Sequence, residues 1–359
     1  MQKIFIIILC LLPASLFAQG YRVSGTVIDA QTQQPMAGAS VFCQNTTIGT
    51  LTNSNGEFSM TVPAGGYDII VSFTGYETQS ASVTAQSENL AQLRFVLKEK
   101  SKSMEEVSVV ATTEVKNGWE KYGEFFREQF IGMTENSKLC TIENPSALRF
   151  FFSKKRNRLK VLASEDLIVT NKALGYKIRY TLDSFTYEYA SGLTQFTGYP
   201  LFEPLVGSAE EVEKWKEKRE EAYLGSMTHF MKGYYHKTLG QDGYKIELLD
   251  EKTKKFRALN DPYDTAFATL ADDELELHPP TILRIIYLNE TPEQDYLVKN
   301  KLALTNTVQI SQLTFRDAIL VERNGYCYDQ KDILSIGYWA WEKIADLMPY
   351  DYEVAGGRL

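Results

Sequence analysis

The chain has 359 residues, of which 44% are hydrophobic and 23% are charged, and its formal net charge is -8 at pH 7. This length allows two or three domains, each with a sizeable core. The acidic balance argues against a general nucleic-acid-binding protein, which needs a basic surface. The strongly basic run at residues 154–158 lies between two apolar runs, so we predict that it is a solvated hairpin turn.

The first residues have the pattern of a secretory signal peptide. Lys3 precedes an apolar run over residues 4–12, and cleavage is predicted after Ala18 or Gln19. The alternative is a membrane anchor, but the run is too short to cross about 30 Å of hydrocarbon. A bulky residue precedes Cys10, which argues against lipid attachment there. Because no later segment is long and apolar enough to span a bilayer, we expect an exported chain without a transmembrane segment.

Three cysteines remain after removal of a signal peptide, namely Cys43, Cys140 and Cys327. An odd number leaves at least one thiol free even in an oxidising compartment. Cys43 is expected to be a small buried hydrophobe in a strand. The count permits a disulfide between Cys140 and Cys327, and the sequence leaves open whether they pair.

Residues 20–98 consist of short alternating runs separated by Gly, Pro and Asn. Seven such runs favour a small antiparallel β-sandwich. A tight turn is predicted at residues 53–56, because Asn and Gly tolerate positive φ. After this turn, Phe58, Met60 and Val62 are expected to face the core.

The same stretch carries a set of short motifs. They are Gly25-Thr26-Val27, Pro35, Gly38-Ala39-Ser40-Val41, Gly49-Thr50, Thr52-Asn53, Gly56-Glu57-Phe58 and Gly75-Tyr76. This set resembles the carboxypeptidase-regulatory-like domain, a transthyretin-like sandwich of seven strands. Such domains occur at the N-termini of exported and outer-membrane proteins of Gram-negative bacteria, including TonB-dependent receptors. The resemblance implies a folding or interaction module in the periplasm, in the outer membrane or at the cell surface, with no activity of its own.

Residues 99–116 are predicted to form a linker or an extra strand. Val107 and Val109 alternate with polar residues, so this segment is a candidate for pairing with an edge strand of a partner. The alternative is a final strand of the sandwich or a simple tether. Residues 117–359 are predicted to form a β-rich α+β domain of unknown function. The fold class is therefore mainly β.

The second region contains helical and strand patterns in alternation. An aromatic helix begins near Asn117, and a long helix capped by Ser208 is predicted to reach Tyr235. We predict a β-meander over residues 148–152, 159–163, 167–170, 176–182 and 185–189, broken at 198–200. Further strands are predicted at 282–288, 296–302, 308–313 and 318–322, a tight turn at Asn324 and Gly325, and a final helix at 339–348.

A second set of residues occurs in this region: Arg219, Ala222-Tyr223, Gly225-Ser226, His229-Phe230, Gly337-Tyr338-Trp339 and Asp346-Leu347. This set is similar to an uncharacterised region that follows the sandwich in other exported bacterial proteins. The resemblance implies no catalytic residue.

The histidines argue against a zinc carboxypeptidase, which needs two His and a Glu around the metal. Three residues after His229, His236 and His278 the chain has Lys, Leu and Thr, so no His-x-x-Glu motif is present. The chain also lacks the Gly-x-Ser-x-Gly motif of serine hydrolases, and neither Cys140 nor Cys327 has a supporting nucleophile motif. We therefore predict no catalytic, cofactor-binding or metal-binding residue.

Two clusters keep other hypotheses open. Asp272, Asp273, Glu274 and Glu276 could supply paired carboxylates for glycoside hydrolysis or oxygen ligands for calcium, or they could be a solvated loop. The aromatic residues near the C-terminus could form a stacking platform for a sugar or a partner, or they could pack in a core. The latter residues are Tyr338, Trp339, Trp341, Tyr350 and Tyr352.

The sequence thus predicts an exported, non-catalytic binding or assembly protein of the bacterial envelope. The predicted interaction surface includes Val107, Val109, Trp339, Trp341 and Tyr350. The expected partner is an envelope or outer-membrane protein or a glycan, and neither nucleic acid nor a cofactor is expected. The alternatives are a glycan-binding module, or a hydrolase that uses carboxylates of the C-terminal region. The identity of the ligand and the oligomeric state stay open.

Overall fold

The computed structural model describes residues 20–100, 114–271, 274–279, 281–328 and 330–354. Over these residues the chain is mainly β, which confirms the predicted fold class. The predicted signal peptide, most of the segment 99–116 with Val107 and Val109, and the pair Asp272 and Asp273 lie outside the described residues. None of the described helices is long and apolar enough to cross a membrane.

The N-terminal strands form the predicted seven-stranded sandwich of two sheets, which is antiparallel except for the pairing of its first and last strands. The strands are β1 (Tyr21–Asp29), β2 (Ser40–Cys43), β3 (Gly49–Leu51), β4 (Glu57–Val62), β5 (Tyr67–Ser72), β6 (Gln79–Val83) and β7 (Leu93–Leu97). One sheet has the order β4-β1-β7, with β1 and β7 parallel, and the other has the order β3-β2-β5-β6. In β4 the buried Phe58, Met60 and Val62 alternate with exposed residues, as the period of two predicts.

A central sheet follows, covered by the aromatic helix α1 (Gly118–Phe130). Its strands are β8 (Cys140–Ile142), β9 (Leu148–Ser153), β10 (Arg158–Ala163), β11 (Leu167–Asn171), β12 (Tyr176–Glu188) and β13 (Leu193–Pro204). The order is β8-β11-β12-β10-β9, and β13 pairs with the other side of β12. Phe126 and Phe130 of α1 are fully buried against this sheet, so the predicted helix is a core-packing element.

The predicted meander is wrong in its topology, because β10 and β11 both pair with β12 and not with each other. Two further details differ from the prediction. Residues 176–182 and 185–189 belong to one strand with a bulge between Leu182 and Ser184. The predicted break at residues 198–200 is wrong, because this stretch lies inside β13. Gly198 allows the backbone to approach the Tyr180 ring, where a Cβ atom would overlap it. Pro200 is tolerated because β13 is an edge strand of this sheet.

The long helix predicted from Ser208 is two helices, α2 (Ala209–Tyr223) and α3 (Met227–His236). The expected cap is confirmed, because Ser208 and Glu211 form a capping box. The single-helix prediction is wrong because Gly225 has a φ of +88° and a Cβ there would lie 2.7 Å from the Tyr287 ring. Ser226 then caps α3 by accepting from the His229 N–H.

The last third contains a second large sheet and a small one. Its strands are β14 (Tyr244–Asp250), β15 (Lys255–Ala258), β16 (Ala268–Ala271), β17 (Glu274–Leu277), β18 (Leu283–Tyr287), β19 (Gln309–Phe315), β20 (Ile319–Val321) and β21 (Ile333–Gly337). The large sheet has the order β15-β14-β18-β19-β21 and the small one β16-β17-β20. Three predicted strands are thus confirmed near their expected positions, at β18, β19 and β20.

Two predictions in this third are wrong. Residues 296–302 do not form a strand; the segment contains α4 (Gln294–Lys299), whose Tyr296 and Leu297 pack on Tyr338 and Trp341. The final helix is limited to α5 (Tyr338–Trp341), and the chain continues as an irregular segment that is largely buried. Short 3-10 helices span Asn136–Leu139, Pro145–Ala147 and Gln330–Asp332.

The irregular segment at residues 344–354 joins the sandwich to the rest of the molecule. The Asn45 side chain donates to the Met348 carbonyl at 3.2 Å, and the Tyr350 N–H donates to the Asn45 carbonyl at 2.7 Å. The Asn171 side chain of the central sheet donates to the Ala345 carbonyl at 2.8 Å. Buried polar bonds therefore fix the sandwich against the central sheet.

Candidate binding groove

The aromatic residues predicted as an interaction platform lie in the core. Trp339, Trp341 and Tyr350 are 8%, 7% and 8% exposed. The Trp339 indole donates to the Gly225 carbonyl at 2.7 Å, and the Trp341 indole donates to Glu293 at 3.0 Å. These three rings therefore pack in the core and do not form an exposed platform. An interaction surface at Val107 and Val109 stays a prediction.

The three histidines contact three different parts of the chain. His236 and His278 each lie 3.1 Å from a backbone carbonyl, of Arg323 and Thr265 respectively. His229 accepts at Nδ1 from the Gly225 N–H at 3.1 Å and from the Tyr244 hydroxyl at 3.0 Å. Burial lowers the pKa of His229 to about 4, so the imidazole is neutral and serves to order this turn.

The cysteines are free thiols in the structure. Cys140 packs in the core of the central sheet, whereas Cys327 packs in the core of the C-terminal sheets, so the disulfide that the count permits does not form. Burial raises the pKa of both thiols to about 12, and it also raises the pKa of Cys43. Protonated thiols are poor nucleophiles.

Four residues of the second sequence set lie together near Gly225, namely Tyr223, His229, Phe230 and Trp339. The Tyr223 and His229 rings lie 5.2 Å apart, and the Phe230 and Trp339 rings lie 5.5 Å apart. Together with the bond from Trp339 to the Gly225 carbonyl, these contacts hold α2, α3 and α5 against one another. These four residues therefore mark a structural junction between helices.

Several carboxylates lie near this junction. Burial raises the pKa of Glu290 to about 7 and that of Asp346 to about 6, and it raises the pKa of Glu342. Asp346 accepts from Thr134 at 2.8 Å and from Asn136 at 2.9 Å, which ties it to the segment that follows α1. Within the described ranges, no group of three or more His, Cys, Asp or Glu residues could hold a metal ion.

A cleft opens between the sandwich and the central sheet, with a volume of about 410 Å³. Its sandwich wall is the loop between β5 and β6, which carries Phe73 and Tyr76. Its opposite wall includes Glu165 and Asp166, which precede β11, and Arg179 of β12. The volume falls within the roughly 300–1,000 Å³ of ligand sites, and the walls come from the sandwich and from the region of the central sheet.

A second cavity of about 350 Å³ lies on the sandwich and is lined by the same two rings. Asp29 and Glu99 lie on its other walls. Phe73 and Tyr76 are therefore shared between the two cavities. We call the two cavities together with these rings the groove.

The Tyr76 ring is held in place before any ligand arrives. Its hydroxyl donates to Asp29 at 2.7 Å, and Asp29 also accepts from the backbone N–H groups of Gln31 at 2.8 Å and Thr32 at 2.7 Å. These hydrogen bonds lower the pKa of Asp29 to about 2, and the bond from the Thr32 N–H has the largest effect. The carboxylate stays charged at neutral pH and fixes the orientation of the ring.

The backbone around the rings is fixed as well. The Tyr76 N–H donates to the Phe73 carbonyl at 3.0 Å, and the Lys100 N–H donates to the Gly75 carbonyl at 2.8 Å. The Phe73 and Tyr76 rings meet edge to face with centroids 5.6 Å apart. The two rings thus form a rigid corner.

The opposite wall presents ordered polar groups. Asp166 accepts from the Thr181 hydroxyl at 2.8 Å, and Glu165 accepts from the Asn144 amide at 3.2 Å. Arg179 is paired with Glu203 at 2.9 Å. No residue of this wall was singled out from the sequence. Of the residues that line the groove, Gly75 and Tyr76 on the sandwich wall were among the motifs identified in the sequence.

Residues 23–109 match the family model of the CarboxypepD_reg-like domain. Over 100 residues the chain is 37% identical to the TonB-dependent receptor SusC of Bacteroides thetaiotaomicron. That match covers 28% of this chain and only 9% of the receptor, so the chain spans a small part of the length of this relative. The resemblance of the N-terminal sandwich is thereby confirmed.

Two solved structures from Bacteroides share low similarity with the chain. A DUF3823 family protein of Bacteroides ovatus is 8% identical with a TM-score of 0.18, covering 53% of this chain and 83% of that one. A putative membrane-associated protein of unknown function from Bacteroides fragilis is 10% identical with a TM-score of 0.19, covering 89% of this chain and 95% of that one. At these TM-scores neither structure supports an argument about fold or function.

Proposed function

We propose that this chain is an exported, non-catalytic binding or assembly protein of the bacterial envelope, and that its ligand lies in the groove. The observation that carries the proposal is the corner of Phe73 and Tyr76, which is fixed by Asp29 and shared by two cavities. Aromatic side chains held rigidly bind with little loss of conformational entropy.

The cellular location that we propose for the protein is supported by its sequence. The apolar run at residues 4–12 supports export, and the domain matched at residues 23–109 supports the envelope, since SusC is named a TonB-dependent receptor. We propose an envelope or outer-membrane protein, or a glycan, as the partner. Cell fractionation with an epitope tag at the C-terminus tests this part, and a cytoplasmic pool of unprocessed protein would contradict it.

The contacts between the sandwich and the central sheet keep the walls of the cleft together. The Asn45 N–H donates to the Pro200 carbonyl at 2.8 Å, and the Phe202 N–H donates to the Thr46 carbonyl at 2.9 Å. A loop of the sandwich thus pairs with the outer edge of β13. Because the walls do not need to be brought together, binding costs less conformational entropy.

Blocking the cleft tests the proposed site. Thr74 is exposed and lines the cleft, so Thr74→Trp should fill part of it without disturbing a core. Thr305→Trp is the matched control, since Thr305 is also an exposed turn residue but lies outside the groove. Binding of purified protein to separate panels of envelope glycans and envelope peptides should fall in the first variant alone. Equal binding by both variants would place the ligand elsewhere.

The segment with Val107 and Val109 provides a second mode of assembly that we propose from its sequence. Its alternating pattern favours addition to an edge strand of a partner protein. In a pull-down, the deletion of residues 105–111 should then release a second set of envelope partners, namely those that bind outside the groove and that Thr74→Trp retains. Retention of every partner after the deletion would rule out this mode.

A further inference from the structure

We infer that the groove binds a neutral oligosaccharide. This inference rests on the proposed function, because it names the chemical class of the ligand at the same site. Three features of the groove support it, namely the aromatic corner, the balance of charge on the walls and the division into two cavities.

The aromatic corner offers ring surface rather than a deep apolar pocket. Phe73 and Tyr76 are both half-buried, so part of each ring faces the groove. The face of an aromatic ring carries partial negative charge and attracts weakly positive C–H groups. A sugar ring presents such C–H groups on one face and hydroxyl groups at its rim. Stacking on a rigid corner therefore leaves the hydroxyls free to meet the opposite wall.

The polar groups of the cleft fit hydroxyls better than they fit a strongly charged ligand. Asp166 and Glu165 each accept one hydrogen bond from a neighbouring side chain, and a carboxylate has about four acceptor sites. Arg179 is already paired with Glu203, so it adds little free positive charge. The groove therefore repels acidic polymers while it keeps acceptors for hydroxyl donors.

The charge at the other end of the groove leads to the same result. Asp29 is engaged by Tyr76 and by the backbone donors of Gln31 and Thr32, so it is not left for a cationic ligand. Glu99 and Lys100 are neighbours of opposite charge, one lining each cavity. A neutral ligand with many hydroxyls matches this mixture of charges.

The division into two cavities favours an oligomer. The cavities have volumes of about 410 Å³ and about 350 Å³, and the shared rings separate them. A single sugar fills only one of them. A ligand of several units can cross the corner, contact both rings and place units in both cavities.

Calorimetry with the full chain tests this inference. The probes are neutral hexasaccharides of glucose, mannose, galactose and xylose, with the four monosaccharides for comparison. At least one hexasaccharide should bind, about tenfold or more tighter than its monosaccharide, because only the longer ligand reaches both cavities. Equal affinity for both would overturn the two-cavity binding mode.

Two variants connect the binding to the groove. Phe73→Leu keeps an apolar side chain and removes the ring, and it should weaken binding about fivefold. Asp166→Asn keeps the shape and removes the charged acceptor, with a similar loss of about fivefold. Phe73→Tyr should retain the affinity, which separates loss of the ring from damage to the fold.

The controls have the same chemistry outside the groove. Tyr189 is an aromatic residue that is 38% exposed, and Asp183 accepts from the Thr197 hydroxyl at 3.0 Å. Tyr189→Leu and Asp183→Asn should leave the affinity for the hexasaccharide unchanged. A loss in the controls equal to that in the groove variants would overturn the assignment of the site.

The binding experiments distinguish a wrong ligand class from a wrong function. If peptides of the envelope panel bind and lose affinity in Phe73→Leu, while every sugar is silent, the oligosaccharide is wrong and the groove remains the binding site. If neither panel binds and Thr74→Trp behaves as Thr305→Trp with isolated envelope fractions, the proposed function itself is wrong.

Discussion

The sandwich and the C-terminal region treat their carboxylates differently. In the sandwich, hydrogen bonds to the Asp29 carboxylate lower its pKa to about 2. Near α5, burial raises the pKa of Glu290 to about 7 and that of Asp346 to about 6. One region thus stabilises a charged carboxylate with local donors, whereas in the other region burial, and after it the charge of neighbouring acids, makes carboxylates costly to ionise. The stability of the two regions should therefore respond to pH in opposite directions.

The largest expected effect concerns the core around Trp339. Trp339→Ala removes a buried indole that bonds to Gly225 and packs on Phe230, so the free energy of unfolding should fall by about 3–5 kcal/mol. Urea denaturation measures this change, with Trp339→Phe as a milder control. An unchanged stability with lost ligand binding would instead support Trp339 as a surface residue.

The next effect tests the sign of the pH response in the C-terminal region. The pKa of Glu290 is raised from 4.5 to about 7, with burial as the main cause and Asp346, Glu221 and Glu293 adding repulsion. The folded state therefore holds a proton that the unfolded state loses. Between pH 4.5 and about 7 the free energy of unfolding should fall as pH rises, by up to about 3 kcal/mol.

Glu290→Gln should remove this loss, because a neutral amide does not ionise. The variant should be more stable than the natural protein at pH 8 and similar to it at pH 4, as measured by urea denaturation at each pH. Glu165→Gln, in the exposed wall of the cleft, is the control and should leave the slope unchanged. A parallel pH profile for natural protein and Glu290→Gln would contradict the raised pKa.

A third prediction concerns the coupling of the two regions. Asn45 has a φ of +54° and donates to the Met348 carbonyl, so Asn45→Ala should lose a buried hydrogen bond and strain the backbone. The expected loss is about 2 kcal/mol. Asn45→Gly should relieve the backbone strain but should not restore the hydrogen bond. Calorimetry of the natural protein checks the coupling. Two separate transitions would show that the sandwich unfolds by itself and would contradict the predicted coupling of the two regions.

The smallest effect tests the sandwich side of the comparison. Tyr76→Phe removes the donor to Asp29, so the pKa of Asp29 should rise toward its usual 3.8. Because that pKa is lowered, its stabilisation is present above pH 3.8 and is lost as pH falls toward about 2. The variant should have a slightly lower thermal midpoint at pH 7 and a weaker loss at acidic pH. NMR titration of Asp29 measures the shift, and an unchanged pKa would contradict it.

Local patterns were sufficient for much of the fold. The alternation in β4, the capping box at Ser208 and the aromatic face of α1 each depend on neighbours within a few residues. Prediction failed where a distant contact decided the conformation. Residues 296–302 have the composition of a strand, but α4 forms because Tyr296 and Leu297 fit against Tyr338 and Trp341.

The sandwich could be predicted from local sequence, because apolar side chains alternate with polar ones along its strands and its turns contain Gly and Asn where positive φ is needed. The sequence also supplied the Gly75-Tyr76 motif. Tertiary packing was needed to place Tyr76 on Asp29, 47 residues away, and opposite Asp166, which precedes β11, and Arg179 of β12. It likewise buried Trp339, Trp341 and Tyr350, which composition alone leaves free to be core or surface. Burial and a shared cavity depend on how the sheets pack, and neither leaves a periodic signal along the chain.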